Sequence, residues 1–265
     1  MLSVGPKAQS TEGHLLESKW PTLPKSAAHP FVSIVTPTYN RRTFFPALIQ
    51  SIKEQTYPKE RMEWVILDDG SDPIEDLIRP HVKIMNIQYI RSEVKMSIGA
   101  KRNRLHDAAR GDILVCMDDD DYYTADRVAH AVFVLQSRKA TLAGSTRNHL
   151  FFTDDKSIWE TGPYGPNHGT FGTMAFTKAY TKANRCDESV AYAEEIQFTN
   201  KYANPLVQLD PRKVMLVIAH SGNTFDKGKL RTDNNQFLRK TTLKLNSFVR
   251  TKELRDFYNT LTLRP

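Results

Sequence analysis

Apolar and polar positions alternate in blocks along the first half of the chain. "FVSIVTP", from Phe31 to Pro37, is a short β-rich apolar run closed by the polar "TYN". In "TFFPALIQSIKEQ", Phe44, Leu48, Ile52 and Gln55 recur at helical spacing, with Pro46 in the first turn. "MEWVILDDGS" is a second apolar run, ended by two acids and a glycine turn. "DPIEDLIRPH" reads as a short helix with Pro73 early in it. "VKIMNIQYI" alternates as a strand. "SIGAKRNRLHDAARG" reads as a helix with Gly111 just beyond its end, and "DILVCM" as the next strand. The order β-α-β-α-β-α-β predicts an α/β fold, with a mostly parallel sheet covered by helices on both faces.

After Arg138 the rhythm changes. "TLAGSTRNHLFF" and "SIWETG" read as strands of a mixed or antiparallel region. "GPYGPNHGTFG" is a Gly/Pro loop, "SVAYAEEIQFTNKYA" reads as a helix, and "KVMLVIAH" as a last strand before a helical tail. Four regions are therefore expected: an extended arm over 1–30, rich in proline; a first half over 31–138; a second half over 139–225; and a loop and helical tail over 226–265.

Composition adds limits. The chain has 265 residues, 40% of them hydrophobic, enough for a substantial core. No apolar run reaches the ~18 residues that span a bilayer, and the N-terminal stretch lacks the apolar core of a signal peptide. Two cysteines, Cys116 and Cys186, make no disulfide framework. A protein of a reducing compartment, the cytoplasm, is expected. The net charge is +7, and from Lys227 to Arg255 nine basic residues face two acids. That stretch reads as a solvated helix face, or as a surface that meets phosphate, including weak contact with a membrane surface. Nucleic acid is not expected, because no stacking aromatic series interleaves the basic residues.

In parallel sheets, ligands bind beyond the carboxyl ends of the strands. Here those ends carry "TPTYN", "LDDGS", "IRSE" and "MDDDD". The last is the sharpest signal. Two carboxylates about 5 Å apart repel by roughly 3 kcal/mol at an effective dielectric near 20. Four in a row after a buried strand imply a bound cation or a protonated acid. If the chain stays extended past Met117, Asp118 and Asp120 share one face. Two hard oxygen ligands suit Mg²⁺ or Mn²⁺, with water and substrate phosphate completing the shell. Asp121 and Thr124 are then expected to cap a helix starting near Ala125. An EF-hand starting at Asp118 fails, because Tyr123 and Ala129 stand where glycine and glutamate are required. A Walker B reading fails for want of its P-loop. A metal-dependent phosphatase or phosphotransferase with Asp118 as nucleophile stays open as a rival. So does a non-catalytic nucleotide- or glycan-binding module.

The segments "VSIVTPTYNR", "WVILDDGS" and "GAKRNR…AARGDILVCMDDDD" resemble the GT-A glycosyltransferases, in particular the large inverting family that includes polysaccharide synthases. The resemblance covers about residues 31–225, and its motifs occur in family order and spacing. It implies a Rossmann-like nucleotide-sugar-binding half and a mixed-sheet acceptor half. It implies Asp118 and Asp120 as the D-x-D acids that hold Mn²⁺ or Mg²⁺ against a donor diphosphate, with Asp119 beside them. It also implies a glycan or other hydroxyl-bearing acceptor, and transfer with inversion.

Other rim residues fit that picture. Asp69 is a candidate acceptor for the N3–H of a uracil, which favours UDP, and Asp68 is its neighbour in reserve. Backbone groups of Thr36 and Pro37 with the Tyr39 ring would frame the base. Arg91, Lys101 and Arg102 are candidates for base or phosphate contacts. By the family match Glu195 is the base that deprotonates the acceptor, with Glu194 turned to the scaffold, although the usual second acid is aspartate. His220, just past "VMLVIA", is a candidate metal ligand. Trp159, Tyr164 and Phe171 are candidate stacking surfaces for an acceptor sugar. Lys227, Lys229 and Arg231 lie on a loop that could close over the diphosphate.

Overall fold

The computed structural model describes residues 15–17, 29–190, 192–223, 225–231 and 235–262. Most of the expected N-terminal arm lies outside the described residues. Within it, Leu15–Glu17 forms strand β1. The chain then runs through β2 (Val32–Thr38), α1 (Phe45–Lys53), β3 (Met62–Asp68), α2 (Glu75–Ile78), β4 (Ile87–Arg91), α3 (Ile98–Ala108), β5 (Ile113–Cys116), β6 (Tyr122–Tyr123) and α4 (Arg127–Ser137). The second part holds β7 (Leu142–Gly144), β8 (Asn148–Phe152), β9 (Ser157–Thr161), β10 (Ala175–Thr177), α5 (Lys178–Ala183), α6 (Glu195–Phe198), β11 (Val207–Gln208), β12 (Met215–Ala219), β13 (Leu238–Lys240) and α7 (Lys252–Thr260).

A large sheet has the order β1-β4-β3-β2-β5-β10-β7-β11. Strands β4, β3, β2 and β5 are mutually parallel. Every residue of β2, β3 and β5 is buried, as expected where helices cover both faces. The chain order reverses between β2 and β5, which places a crevice at their carboxyl ends. Strand β10 pairs antiparallel with β5, so segments from both halves of the chain share this sheet. A second sheet, β13-β9-β8-β12-β6, stands beside it. Its strand β12 pairs parallel with β8 and antiparallel with β6, the strand directly after the four aspartates. Helix α7 buries Leu254 and Tyr258 against Tyr122 of β6 and so backs the acidic turn.

Several local expectations are corrected. "VKIMNIQYI" is a strand only from Ile87; the residues before it form a turn. Gly111 is not a left-handed helix cap. Helix α3 stops at Ala108, and Gly111 lies so close to the backbone of Ser33 that a Cβ would meet its N at 2.5 Å. Asp121 and Thr124 do not cap α4, which begins at Arg127. Asp121 accepts a hydrogen bond from the Ile218 N–H (2.8 Å), and Thr124 donates to the Lys213 carbonyl (2.8 Å). "SVAYAEEIQFTNKYA" is helical only over Glu195–Phe198. Ala193 precedes it at φ 62°, and Asn200, Lys201 and Tyr202 follow at φ 52–61°. A left-handed L-residue costs roughly 1–2 kcal/mol, and three in succession cannot continue a right-handed helix. Burial of Phe198, whose carbonyl accepts from the Tyr180 hydroxyl (2.9 Å), holds the turn in place. No helix among the described residues is long and apolar enough to cross a membrane.

Candidate active site

The crevice at the β2/β5 reversal opens into a cleft of about 620 Å³. Pro37 reaches it from the end of β2, Tyr39 and Arg41 from the loop that follows, Lys101 and Arg102 from α3, and Asp118, Asp119 and Asp120 from the turn after β5. Lys95, Tyr192 and Glu194 are among the residues of its other walls. Thr36, Asp68, Asp69 and Arg91 do not line it.

Those four form the frame behind the wall. The Thr36 hydroxyl donates to the Met117 carbonyl (2.8 Å) and accepts from the Trp64 indole (2.9 Å), tying β2 to the start of the acidic turn. Asp68 accepts from the Gly70 N–H (2.9 Å), the Ile74 N–H (3.1 Å) and the Tyr89 hydroxyl (2.7 Å), with Arg91 3.8 Å away. Arg91 also donates to the Asp68 carbonyl. These two therefore build the β3 turn. Asp69 accepts from Lys101 Nζ (2.8 Å) and from the Met96 N–H (2.6 Å), and its side chain is fully buried. In this arrangement both of its oxygens already have donors. Lys101 joins Asp69 to the Thr38 carbonyl and lies 5.7 Å from the Tyr39 ring, which Lys95 covers at 4.3 Å. Tyr39 with two ammonium groups makes the polar-aromatic corner of the cleft.

The turn after β5 is not extended, so Asp118 and Asp120 find different partners. Asp118 pairs with Arg102 at 3.1 Å. Asp120 lies 3.2 Å from His220 Nε2 and 3.6 Å from Arg41. The His220 Nδ1 accepts from the Gly222 N–H (3.1 Å), so the ring proton belongs on Nε2 and points at Asp120. His220 acts here as a donor that orients Asp120, rather than as a lone pair offered to a metal. Burial pushes the Asp120 carboxyl up, but the His220 hydrogen bond and the Lys227 charge hold it down at about 2. Burial and the charge on Asp120 push Asp119 up to about 8, and push Asp121 well above the usual carboxylate range. Ionising all four acids at once would put more negative charge here than Arg41, Arg102 and Lys227 balance, and part of the cluster holds protons instead. Among the described residues no three His, Cys, Asp or Glu side chains form a ready metal cage. Asp118 and Asp120 do match the one or two carboxylates that Mg²⁺ or Mn²⁺ takes when phosphate and water supply the rest.

Arg102 links this turn to the other side of the cleft. Its Nε donates to Glu194 (2.5 Å), its Nη1 to Asp118, and its guanidinium lies 4.0 Å over the Phe171 ring. Glu194 is buried and accepts from Arg102 through one oxygen. Glu195, first residue of α6, is pushed up to about 7 by burial and by Glu194. Phe171 is core beneath Arg102, and Trp159 is half-buried, so neither offers the open ring that Tyr164 does. Of the loop cations, Arg231 is held by Asp154 and Asp155 and stacks over Phe152, while Lys227 lies within electrostatic reach of Asp120.

Arg41, Lys95 and Tyr192 also line the cleft and lie outside the residues expected from sequence. Arg41 follows "TYN" directly at the β2 end and could have been found by that position alone. Lys95 and Tyr192 sit in irregular loops and leave no comparable trace.

Residues 33–195 match the model of glycosyl transferase family 2. The chain belongs to this family. It is 25% identical over 171 residues to the poly(ribitol-phosphate) beta-N-acetylglucosaminyltransferase TarS of Staphylococcus aureus, covering 62% of this chain and 30% of that protein. The crystal structure of S. aureus TarS in complex with UDP superposes with a TM-score of 0.57 at 19% identity, over 71% of this chain and 60% of the other. The mannosyltransferase PcManGT of Pyrobaculum calidifontis, in complex with GDP-Man and Mn²⁺, gives a TM-score of 0.59 at 17% identity, over 77% and 61%. These structural likenesses speak to the fold, a GT-A architecture. The chain spans less than half the length of the curated relatives it matches.

Proposed function

We propose that this chain transfers a sugar from a nucleotide diphosphate donor, UDP in preference to GDP or dTDP, to a hydroxyl of a glycan or other acceptor, with inversion at the anomeric carbon. The observation that carries the reading is a crowded carboxylate turn and an acid pair joined by one guanidinium: Arg102 holds Asp118 on the β5 side of the cleft and Glu194 on the α6 side. Glu195, beside Glu194 and outside the residues that line the cleft, has its carboxyl pushed up to about 7 by burial and by Glu194, the range suited to a general base at neutral pH.

Asp118 and Asp120 would hold a divalent ion, Mn²⁺ or Mg²⁺, which when bound supplies Lewis-acid neutralisation of the leaving diphosphate. His220 keeps Asp120 oriented and ionised. Tyr39, Lys95 and Lys101 receive the base. Asp69 positions Lys101 rather than meeting the base itself, because its side chain is fully buried; the preference for UDP rests instead on the likeness to the UDP-bound TarS structure. Glu195 takes the proton from the acceptor hydroxyl as that oxygen attacks from the face opposite the diphosphate. Glu194, clamped by Arg102, keeps the Glu195 carboxyl high by its charge. The family membership supports this reading over Asp118 as a phosphoryl-accepting nucleophile, and Asp118 already pairs with Arg102.

The test is a donor panel: turnover and thermal shift with UDP-, GDP- and dTDP-sugars, each with Mn²⁺ and with chelator. Stabilisation that needs both a nucleotide and the metal is expected, largest for UDP. Equal shifts with chelator present would remove the metal from the reading, and no shift with any nucleotide would remove the donor site.

A further inference from the structure

Gly172 is a glycine without a backbone reason to be one. It is buried in the turn Phe171–Thr173, and its φ lies outside the left-handed region that favours glycine. What the position lacks is room. A Cβ on Gly172 would stand 2.8 Å from Asp118 Oδ2, 3.2 Å from the Tyr123 hydroxyl and 3.4 Å from Met215 Cε. The space that a side chain would take is filled by the first carboxylate of the acidic turn.

The Phe171–Thr173 turn is braced against backing away from that contact. The Thr173 N–H donates to the Thr170 carbonyl (2.9 Å), and the Met174 N–H to the Phe171 carbonyl (2.9 Å). Arg127, fully buried at the start of α4, donates from Nη2 to the carbonyls of Cys116 (3.2 Å), Thr173 (2.9 Å) and Met174 (2.7 Å). The Cys116 N–H donates to the same Met174 carbonyl (3.0 Å). The turn is thereby fastened to the end of β5, two residues before Asp118. Its Phe171 ring packs on Phe176 and Phe198 and carries the Arg102 guanidinium at 4.0 Å.

Asp118 is held less tightly. Its side chain is 25% exposed, and its Oδ1 meets Arg102 at 3.1 Å. Arg102 and Asp118 thus rest on one turn, the first through Phe171 and the second through Gly172. When an added methyl forces a braced backbone and the end of a part-exposed side chain apart, the side chain is what yields.

We propose that Gly172 is a positioning residue for Asp118: its missing side chain leaves the space in which that carboxylate lies against Arg102, ready at the cleft wall for a divalent ion and a donor diphosphate. The inference rests on the transferase reading. It adds a residue from the second half of the chain that lies outside the cleft lining and sets the metal-holding turn from behind.

The experiment compares the full chain with Gly172→Ala, and with Gly169→Ala as a control. A Cβ on Gly169 would meet Leu206 Cδ1 at 3.3 Å and the Ser145 nitrogen at 3.4 Å, away from the acids. UDP affinity is measured by calorimetry with Mn²⁺ and with chelator, and the ratio of the two dissociation constants gives the metal's share. Gly172→Ala should lower that ratio by about 10- to 100-fold, the range for groups that orient a metal ligand. Its UDP affinity in chelator and its melting temperature should match the parent, and Gly169→Ala should keep the parental ratio. A crystal structure of Gly172→Ala should show the Asp118 carboxylate displaced from Arg102. Where Mn²⁺ tightens UDP binding in the parent, an unchanged ratio in Gly172→Ala overturns the proposal. So does an equal loss in Gly169→Ala, a loss of UDP affinity in chelator as large as the loss with Mn²⁺, or an Asp118 carboxylate left in place. The transferase reading fails separately: no effect of Mn²⁺ on the parent, with Asp118 displaced in the variant, keeps the positioning role and sinks the metal.

Discussion

Two acid groups end neighbouring regions of the large sheet, and they are built differently. At the end of β3, Asp68 and Asp69 have donors on both oxygens: two backbone N–H groups and a tyrosine hydroxyl on one, a lysine and a backbone N–H on the other. After β5, the aspartates crowd one another, and Asp119 is pushed up to about 8 by burial and by Asp120. The first pair is complete without a ligand and shapes a turn. The second group lacks positive charge and has a use for more. Adjacent acids in a sequence look alike; the donors that the fold supplies separate scaffold from site.

Four outcomes would sharpen or break this contrast. The largest effect belongs to the third acid position: Glu195→Gln should lower kcat by about 10²–10⁴ with the fold retained. In the parent, kcat/KM should rise with pH through an apparent pKa near 7, because the base works only when deprotonated. A profile of the same shape in Glu195→Gln would assign the base elsewhere. Next is Asp68→Ala, which strands the Tyr89 hydroxyl, two N–H groups and Arg91. It should cost roughly 3–5 kcal/mol in denaturant unfolding. Asp120→Asn, by contrast, should melt no lower than the parent. It should lose the nucleotide-and-metal stabilisation, about 2.7 kcal/mol with ligand at a hundredfold its Kd. If Asp120→Asn unfolded as readily as Asp68→Ala, the two acid groups would be the same kind of thing.

The smallest effect concerns a buried base used as ballast. His106 packs among Phe171, Phe176 and Phe198, and neither ring nitrogen has a hydrogen-bond partner among the described residues. Burial, then the charge of Arg102, lowers its pKa to about 3. Between its unfolded value near 6.5 and this folded value, the unfolded chain binds the extra proton. Stability therefore falls as pH drops through that window, by up to about 1.4 kcal/mol per pH unit from this group. His106→Phe should flatten the dependence of melting temperature between pH 6.5 and 4.5, and an unchanged slope would place the loss in other groups.

The parallel half of the fold was legible because its strands are buried on both faces and appear as unbroken apolar runs. "FVSIVTP" and "WVILDD" needed no partner to be read. The short strands β7, β10 and β11 were not legible as members of the same sheet, because two or three residues carry no period and their pairing is long-range. The brevity of α6 had no local mark either: Lys201 and Tyr202 are ordinary helix-tolerant residues held left-handed by tertiary packing. At the site, the residue types of the acidic turn were visible, but not which acids already had donors. Asp69 reads as a ligand acceptor until Lys101 and the Met96 N–H are found on it. His220 reads as a metal ligand until the Gly222 N–H fixes its tautomer. Both corrections depend on backbone donors, which a string of side chains does not show.

Arg102 holds Asp118 with one nitrogen and Glu194 with another. Whatever draws Asp118 toward a new partner also changes the grip on Glu194, and hence the charge beside Glu195. Occupancy on one side is thereby felt on the other through a single guanidinium, and by thermodynamic necessity the influence runs equally in both directions.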